Sequence, residues 1–168
     1  MKKGFTLVEL IVVIAILGIL AVGLLAVINP FEQFKKANDA RRISDLEQIQ
    51  RALELYYQDN NSYPKSSADF KISVNNQTLG WGSSWEPYIS VLPTDPLPKN
   101  TYVYYSPVSG NGQTYYLYAN LETGGLNPQA CNKGNACLSL LAGTAGFPTA
   151  NACGGVCTYG VSSANVSP

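Results

Sequence analysis

The chain has 168 residues, enough for a membrane segment and one modest domain. Its eleven basic and eleven acidic side chains balance, so the overall charge does not point to nucleic acid as an obligatory partner. It contains no histidine, which removes the commonest general base, proton shuttle and metal ligand and argues against an enzyme.

The N-terminal stretch joins a basic start to a long apolar run. Residues 10–28 include no charged or strongly polar side chain, and as a helix they would span roughly 29 Å, close to the thickness of a bilayer core. A cleaved secretory signal has an apolar region of only about 7–15 residues. We therefore predict a membrane-spanning helix. Glu9 stands close to the start of that run, where an ionised carboxylate is costly.

The sequence KKGFTLVEL, followed by an apolar helix, resembles the N-terminus of type IV pilins and of the pseudopilins of type II secretion. The positions that match the family pattern are Gly4, Phe5, Thr6, Leu7, Glu9, Ala15, Gly18 and Ala21. The resemblance implies that a prepilin peptidase cuts between Gly4 and Phe5 and then methylates the new amine of Phe5. It also implies an assembly ATPase, an inner-membrane platform protein and other minor pilins as partners, with ATP used by that machinery and no cofactor in this chain.

Glu9 has a role that follows from its charge. Cleavage would create a positive amine at Phe5, which Glu9 of a neighbouring subunit can meet in an apolar filament core. At about 4 Å and an effective dielectric constant near 20 the pair is worth about 4 kcal/mol before desolvation. Because desolvation offsets much of this gain, we expect the pair to set register in filament assembly. The alternative is a Glu9 that remains hydrated among lipid headgroups.

The expected function is that of a structural subunit of a type IV pilus, which is processed and polymerised with copies of itself into an extracellular filament for motility, adhesion or DNA uptake. A type II secretion pseudopilin, which shares the motif, is the near alternative. A monomeric membrane-anchored extracellular binding domain is a further alternative. An anchored enzyme is disfavoured, because the sequence offers no nucleotide loop and no convincing nucleophile–base pair.

The orientation of the precursor depends on the motif more than on charge. Lys2 and Lys3 favour a cytoplasmic N-terminus, whereas the basic residues at positions 35, 36, 41 and 42 favour the reverse. The motif and the cysteines decide for a single-pass precursor with its C-terminus outside the cytoplasm, and for a cell-surface filament after assembly.

The sequence NPFE at residues 29–32 interrupts the apolar helix. Asn29 can cap a helix, Pro30 suits a first helical position, and Glu32 lies where a capping box needs an acidic residue. We expect either a kink or a helix break at Asn29 and Pro30.

An amphipathic helix is predicted up to about Asp59. Its apolar stripe, spaced at three and four residues, comprises Ile43, Leu46, Ile49, Leu53 and Tyr56. The remaining faces are assigned to Arg41, Arg42, Asp45, Glu47, Arg51 and Glu54. The stripe is the face that a globular part should cover.

Residues 61–168 are predicted to form that globular part. Residues 65–99 are interpreted as a connecting region in which Trp81 and Trp85 are core aromatics more readily than a ligand platform. Two tyrosine-rich runs in residues 101–123 flank SGNG and indicate a β-hairpin. Asp95 alone is thin support for calcium, which takes about 6–8 oxygen ligands, so no metal site is predicted.

Four cysteines occur near the C-terminus: Cys131, Cys137, Cys153 and Cys157. An even count behind a membrane segment favours disulfides formed in an oxidising compartment, and three pairings are possible. The spacings lack the two-residue knuckle of a zinc ribbon.

The fold class is therefore predicted as α+β: a long N-terminal helix against a small antiparallel sheet, with a disulfide-stapled C-terminal loop region. The expected organisation is a leader at 1–4, a membrane or filament-core helix at 5–28, an amphipathic helix at 29–60 and the globular part at 61–168.

Overall fold

The computed structural model describes residues 4–141 and 146–168, and within these it leaves out the side chains of residues 25–28 and 110. The chain divides into two compact units, an N-terminal unit of residues 1–35 and a head unit of residues 36–168.

The N-terminal unit is dominated by helix α1, Leu7–Ile28. Residues 7–24 have a mean hydropathy of 3.0 and none of them is buried, so by length and composition this helix can cross a membrane. Its 22 residues correspond to a rise of about 33 Å. The predicted apolar helix is thus present, with the side chains of residues 7–24 exposed.

Helix α2, Pro30–Asn60, supplies the main helix of the head unit. Its buried apolar residues are Leu46, Ile49, Ala52 and Leu53, while Ile43 and Tyr56 are partly buried against the same core. The helix ends where Asn61 takes a left-handed conformation (φ 52°), three residues before Pro64. The apolar stripe read from the sequence is the face that packs.

The described residues form two three-stranded antiparallel sheets. The first runs β1-β2-β3 and consists of β1 (Lys65–Ser66), β2 (Ile72–Val74) and β3 (Gln77–Thr78); the second runs β4-β5-β6 and consists of β4 (Val103–Tyr105), β5 (Tyr116–Ala119) and β6 (Tyr159–Ser162). A single turn of helix, α3 (Leu138–Leu141), lies between β5 and β6 in sequence. The architecture is α+β, as predicted.

The first sheet lies in the segment that the sequence suggested was only a connection. Val74 pairs with Gln77 across a two-residue turn formed by Asn75 and Asn76, whose φ values are 52° and 63°. Asparagine tolerates this left-handed conformation, which suits the tight turns of hairpins. The Asn-Asn pair was the sequence signal for a hairpin at this position.

The tyrosine-rich runs form β4 and β5, with Tyr105 opposite Tyr116. Their connection covers residues 106–115 and contains a 3-10 turn at Val108–Gly110, so it is longer than a tight SGNG turn. Strand β6 pairs with the other edge of β5 and comes from the C-terminal region that the sequence indicated was loops.

The aromatic residues fill the core rather than a ligand platform. Trp85 is buried, and Trp81 donates from its indole nitrogen to the carbonyl oxygen of Tyr102 at 2.9 Å. Buried tyrosines keep their hydroxyls paired: Tyr104 donates to the carbonyl of Pro64 at 2.6 Å. Large rings with satisfied polar ends stabilise this small core.

Helix α2 also buries charge, which contradicts the assignment of Arg42 and Asp45 to outer faces of the helix. The Arg42 side chain has no exposed surface and lies 2.9 Å from Asp39, 2.8 Å from Asp95 and 2.9 Å from Glu122. Asp45 is 6% exposed and accepts from the Tyr102 hydroxyl at 2.7 Å. Helical spacing cannot reveal partners that come from other segments, and these partners make burial of the guanidinium possible.

Asp95 is one of the three carboxylates that surround Arg42. Its two carboxylate oxygens accept from Nε and Nη2 of Arg42 at 2.8 and 2.9 Å, and Oδ1 also accepts from the Leu97 backbone N–H at 2.8 Å. Burial by itself would lower the pKa of Arg42, but the adjoining carboxylates raise it above its usual value. The guanidinium therefore stays charged and ties α2 to the segment before β4.

The cysteines pair with their nearest neighbours in sequence, Cys131 with Cys137 and Cys153 with Cys157. Three of the four are fully buried and pack with Val103, Tyr118 and Leu140 in a second apolar cluster. Both crosslinks lie between β5 and β6 in sequence.

Candidate functional site

The N-terminus of α1 contains the residues to which the sequence analysis assigned processing and assembly. Gly4 and Phe5 precede the helix, and Phe5 is 76% exposed. A Cβ built on Gly4 meets nothing within 4 Å. The peptide bond between these two residues is therefore outside helical structure and open to solvent, the condition that a protease needs. That it is cut remains a prediction.

Thr6 and Glu9 form a reciprocal capping box. Glu9 donates its backbone N–H to Oγ1 of Thr6 at 3.2 Å, and its Oε2 accepts from the Thr6 backbone N–H at 2.9 Å and hydroxyl at 2.7 Å. Thr6 has the extended conformation of an N-cap residue, with φ −84° and ψ 151°. The sequence signal, Thr-x-x-Glu before an apolar run, was present but was not used in assigning Glu9 a role.

The capping box turns the Glu9 carboxylate back towards the N-terminus of its own helix, where the helix dipole favours a negative charge. Both of its accepted bonds end on Oε2, so within the described part of the chain Oε1 retains its acceptor capacity. The carboxylate is thus held in place but can still receive an additional cationic donor.

Small residues open a shallow groove on one side of α1. It is lined by Ile14, Ala15, Gly18, Ile19 and Val22. A Cβ built on Gly18 would meet nothing within 4 Å. The arrangement leaves space for close approach of a second helix, as small residues do in membrane helix pairs.

The chain leaves α1 at Asn29, which adopts a left-handed conformation with φ 43° and ψ 75°. Asn29 is therefore the C-cap of α1, whereas an N-cap of the next helix would be extended. Glu32, expected to complete a capping box with it, instead accepts from Nζ of Lys35 at 2.8 Å. The structure ends one helix at Ile28 and begins the next at Pro30.

The residues predicted for processing, assembly and the helix break therefore lie at two separate places in the structure. Gly4, Phe5 and Glu9 come together at the start of α1, and Asn29 and Pro30 lie at its end. The four cysteines lie in the head unit.

Comparison with known families finds two matches that follow one another along the chain. The prokaryotic N-terminal methylation motif matches residues 1–25, and the family described as type II secretion system (T2SS), protein G, matches residues 29–130. Residues 131–168, with all four cysteines, lie beyond the second match.

Three similar proteins are each named type II secretion system core protein G. The Escherichia coli K12 protein is 37% identical over 109 residues, which is 63% of this chain and 73% of that protein. The Vibrio cholerae protein is 34% identical over 127 residues, covering 74% and 85%, and the Pseudomonas aeruginosa protein is 33% identical over 139 residues, covering 77% and 92%. No solved structure gives a significant match.

Proposed function

The chain belongs to the type II secretion system protein G family, and on that premise we propose that it is a pseudopilin, a structural subunit of the filament of a secretion machine. The observation that carries the proposal is the succession of a methylation motif and a protein G domain in one chain. The relatives' common name favours this alternative over the type IV pilus subunit that the N-terminal motif first suggested.

The precursor is anchored in the membrane by α1, with the head unit outside the cytoplasm. A prepilin peptidase then cuts between Gly4 and Phe5 and methylates the amine of Phe5. Exposure of both residues ahead of the helix supports this step. Disulfides in the head unit agree with an oxidising compartment on that side of the membrane.

Glu9 then sets the register between subunits. Its Oε2 is occupied by Thr6 of the same chain, while Oε1 can accept from the Phe5 amine of a neighbour. The capping bonds lower the cost of holding the carboxylate in an apolar surrounding. A subunit out of register would leave a buried charge unpaired, which penalises misassembly more than the pair itself stabilises the filament.

Subunits polymerise through α1. The groove at Ala15 and Gly18 admits the helix of a second copy, and the exposed apolar side chains around it gain from leaving water or lipid for close packing. The same helix thus serves first as an anchor and then as the core of the filament.

In this proposal the subunit is structural and catalysis belongs to its partners. The peptidase processes it, an assembly ATPase supplies the energy, and an inner-membrane platform protein and minor subunits guide polymerisation. No cofactor is assigned to the chain, and nucleic acid is not an obligatory partner.

The proposal is tested by following processing, assembly and secretion together. In a strain that lacks its own protein G, this chain should be recovered in a polymer with a methylated Phe5 at its N-terminus, and secretion should be restored. Glu9→Ala should leave insertion and cleavage intact but impair polymer formation, because the register contact is lost. Glu47→Ala, which removes an exposed carboxylate of α2 in the head unit, is the matched control.

Intact Met1 at the N-terminus of every recovered molecule, with no polymer, would instead indicate a monomeric anchored binding domain. Polymer without any restored secretion would favour the type IV pilus subunit. The disulfide-bearing segment 131–168 beyond the protein G match is the one feature that favours that second function.

A further inference from the structure

The first two turns of α2 carry an exposed aromatic pair. Phe31 and Phe34 are 76% and 69% exposed, and because they are three residues apart they lie on the same side of the helix. Moving exposed phenylalanine rings out of water lowers the free energy of the system. Two of them side by side, outside the apolar helix α1, mark a surface that something beyond this chain covers.

The position of the pair is set by the length of α1. The 22 residues of that helix rise about 33 Å, close to the roughly 30 Å hydrocarbon core of a bilayer. Phe31 follows the last residue of α1 by three positions and Phe34 by six. When α1 spans the bilayer, the aromatic pair therefore emerges at the level of the lipid headgroups.

The charged residues next to Phe31 and Phe34 also suit the headgroup level of a bilayer. Lys36 is exposed, and Lys35 is half-buried in an ion pair with Glu32 at 2.8 Å. Membrane–water interfaces favour aromatic rings at the acyl boundary and cationic side chains near lipid phosphates. Aromatic and cationic residues occur here within a single stretch of six residues.

We propose that Phe31 and Phe34 dock on the bilayer itself, with their rings inserted at the boundary between headgroups and acyl chains. The membrane contact of the precursor then extends past α1 into the first two turns of α2, and the helix break at Asn29 lies at the membrane surface. Extraction of the subunit into a filament must release these rings as well as α1. The inference rests on the membrane-anchored precursor proposed above.

Two features favour lipid as the partner of Phe31 and Phe34: their closeness in sequence to the membrane-spanning helix and the cationic residues that follow them. The pair is separated from the membrane-spanning helix by only Asn29 and Pro30, and ammonium groups follow it directly. A second copy of the chain is the competing occupant, and the experiment below distinguishes the two.

The test places p-benzoylphenylalanine, a photoreactive analogue of phenylalanine, at position 31 or 34 of the full uncleaved chain. Matched chains carry it in place of Leu17 in α1 and in place of Leu55 of α2, which are 58% and 48% exposed. Each protein is reconstituted at low density into vesicles of phosphatidylethanolamine and phosphatidylglycerol and is illuminated. The mass of the intact protein is then measured by mass spectrometry. A lipid adduct adds the mass of one phospholipid, and a contact between copies doubles the protein mass.

We expect lipid adducts at positions 17, 31 and 34, with a yield several-fold above that at position 55. Adducts at 17 combined with protein dimers at 31 and 34, or with a yield there no higher than at 55, would overturn the inference while leaving the anchor intact. Absence of lipid adducts at 17 would overturn the anchoring step of the proposed function and, with it, this inference.

Discussion

Helix α1 and the head unit differ in the exposure of their apolar side chains and in the pairing of their charged side chains. In α1 the large apolar residues are exposed, and the Glu9 carboxylate is held in a capping box that leaves one oxygen accessible. In the head unit even a fully buried arginine finds three carboxylates inside its own chain. The contrast indicates that the head unit pairs its buried charges by folding, whereas α1 presents its apolar side chains to its surroundings.

The largest effect is expected from breaking the internal cluster of the head unit. Arg42→Met leaves Asp39 and Asp95 buried without their cation, and removing one partner of a buried ion pair costs about 3–5 kcal/mol. Urea unfolding of the full chain in detergent, followed by the fluorescence of Trp81 and Trp85, measures the loss. Arg51→Met is the control, since Arg51 is exposed on the same helix and should shift stability by less than about 0.5 kcal/mol. Equal stability of the two variants would show that the cluster contributes little.

The disulfides provide a second way to weaken the head unit alone. Replacing both Cys131 and Cys137 by serine reopens a short loop and should cost about 2 kcal/mol. The same unfolding measurement applies, and chemical reduction of the unsubstituted chain should lower stability in the same direction. An unchanged unfolding midpoint for the serine variant would contradict a stabilising role for this crosslink.

A smaller effect, confined to the other region, is expected from the capping box. Thr6→Ala removes the Oγ1 contacts with Glu9 and should cost α1 about 1 kcal/mol. Polymer yield should fall while the unfolding midpoint of the head unit stays constant, because Thr6 lies outside the head unit. Thr6→Ser keeps the hydroxyl and should assemble normally. Equal polymer yields for the alanine variant and the unsubstituted chain would remove Thr6 from the assembly site.

The smallest effect concerns pH. Burial raises the pKa of Asp45 above its ordinary value of 3.8, and the hydrogen bond from Tyr102 opposes that shift only in part. A raised pKa means that the folded state binds the proton more tightly, so this contribution is fully present below pH 3.8 and is lost as pH rises through the folded pKa.

Asp45→Asn removes this ionisable group. The folding stability of the variant should therefore not fall through ionisation at position 45 as the pH rises. Its stability relative to the unsubstituted chain should increase between about pH 3 and pH 7. Urea unfolding of both chains across that range measures the difference. A difference that stays constant or falls with rising pH would contradict the burial effect.

The helical repeat was read correctly from the sequence, whereas the short capping and turn signals at Thr6, Asn29 and Asn75 and the contacts between distant segments were not. The spacing of Leu46, Ile49 and Leu53 predicted the packed face of α2 because burial follows the helical repeat. The same reasoning placed Arg42 outside, since it could not include Asp95 and Glu122, which lie 53 and 80 positions away. Strand β6 was missed because its partner β5 precedes it by about forty residues and its own sequence has no clear alternation.

The sequence by itself determined the membrane-length helix, the processing motif and the Thr6–Glu9 capping signal, because each depends on residues within a few positions of one another. Only the tertiary structure decided that Arg42 is buried, that Cys131 pairs with Cys137, and that the C-terminal region adds a strand to β5. These outcomes depend on which segments come together in space. Burying a charge or closing a crosslink is favourable only when the partner is already there.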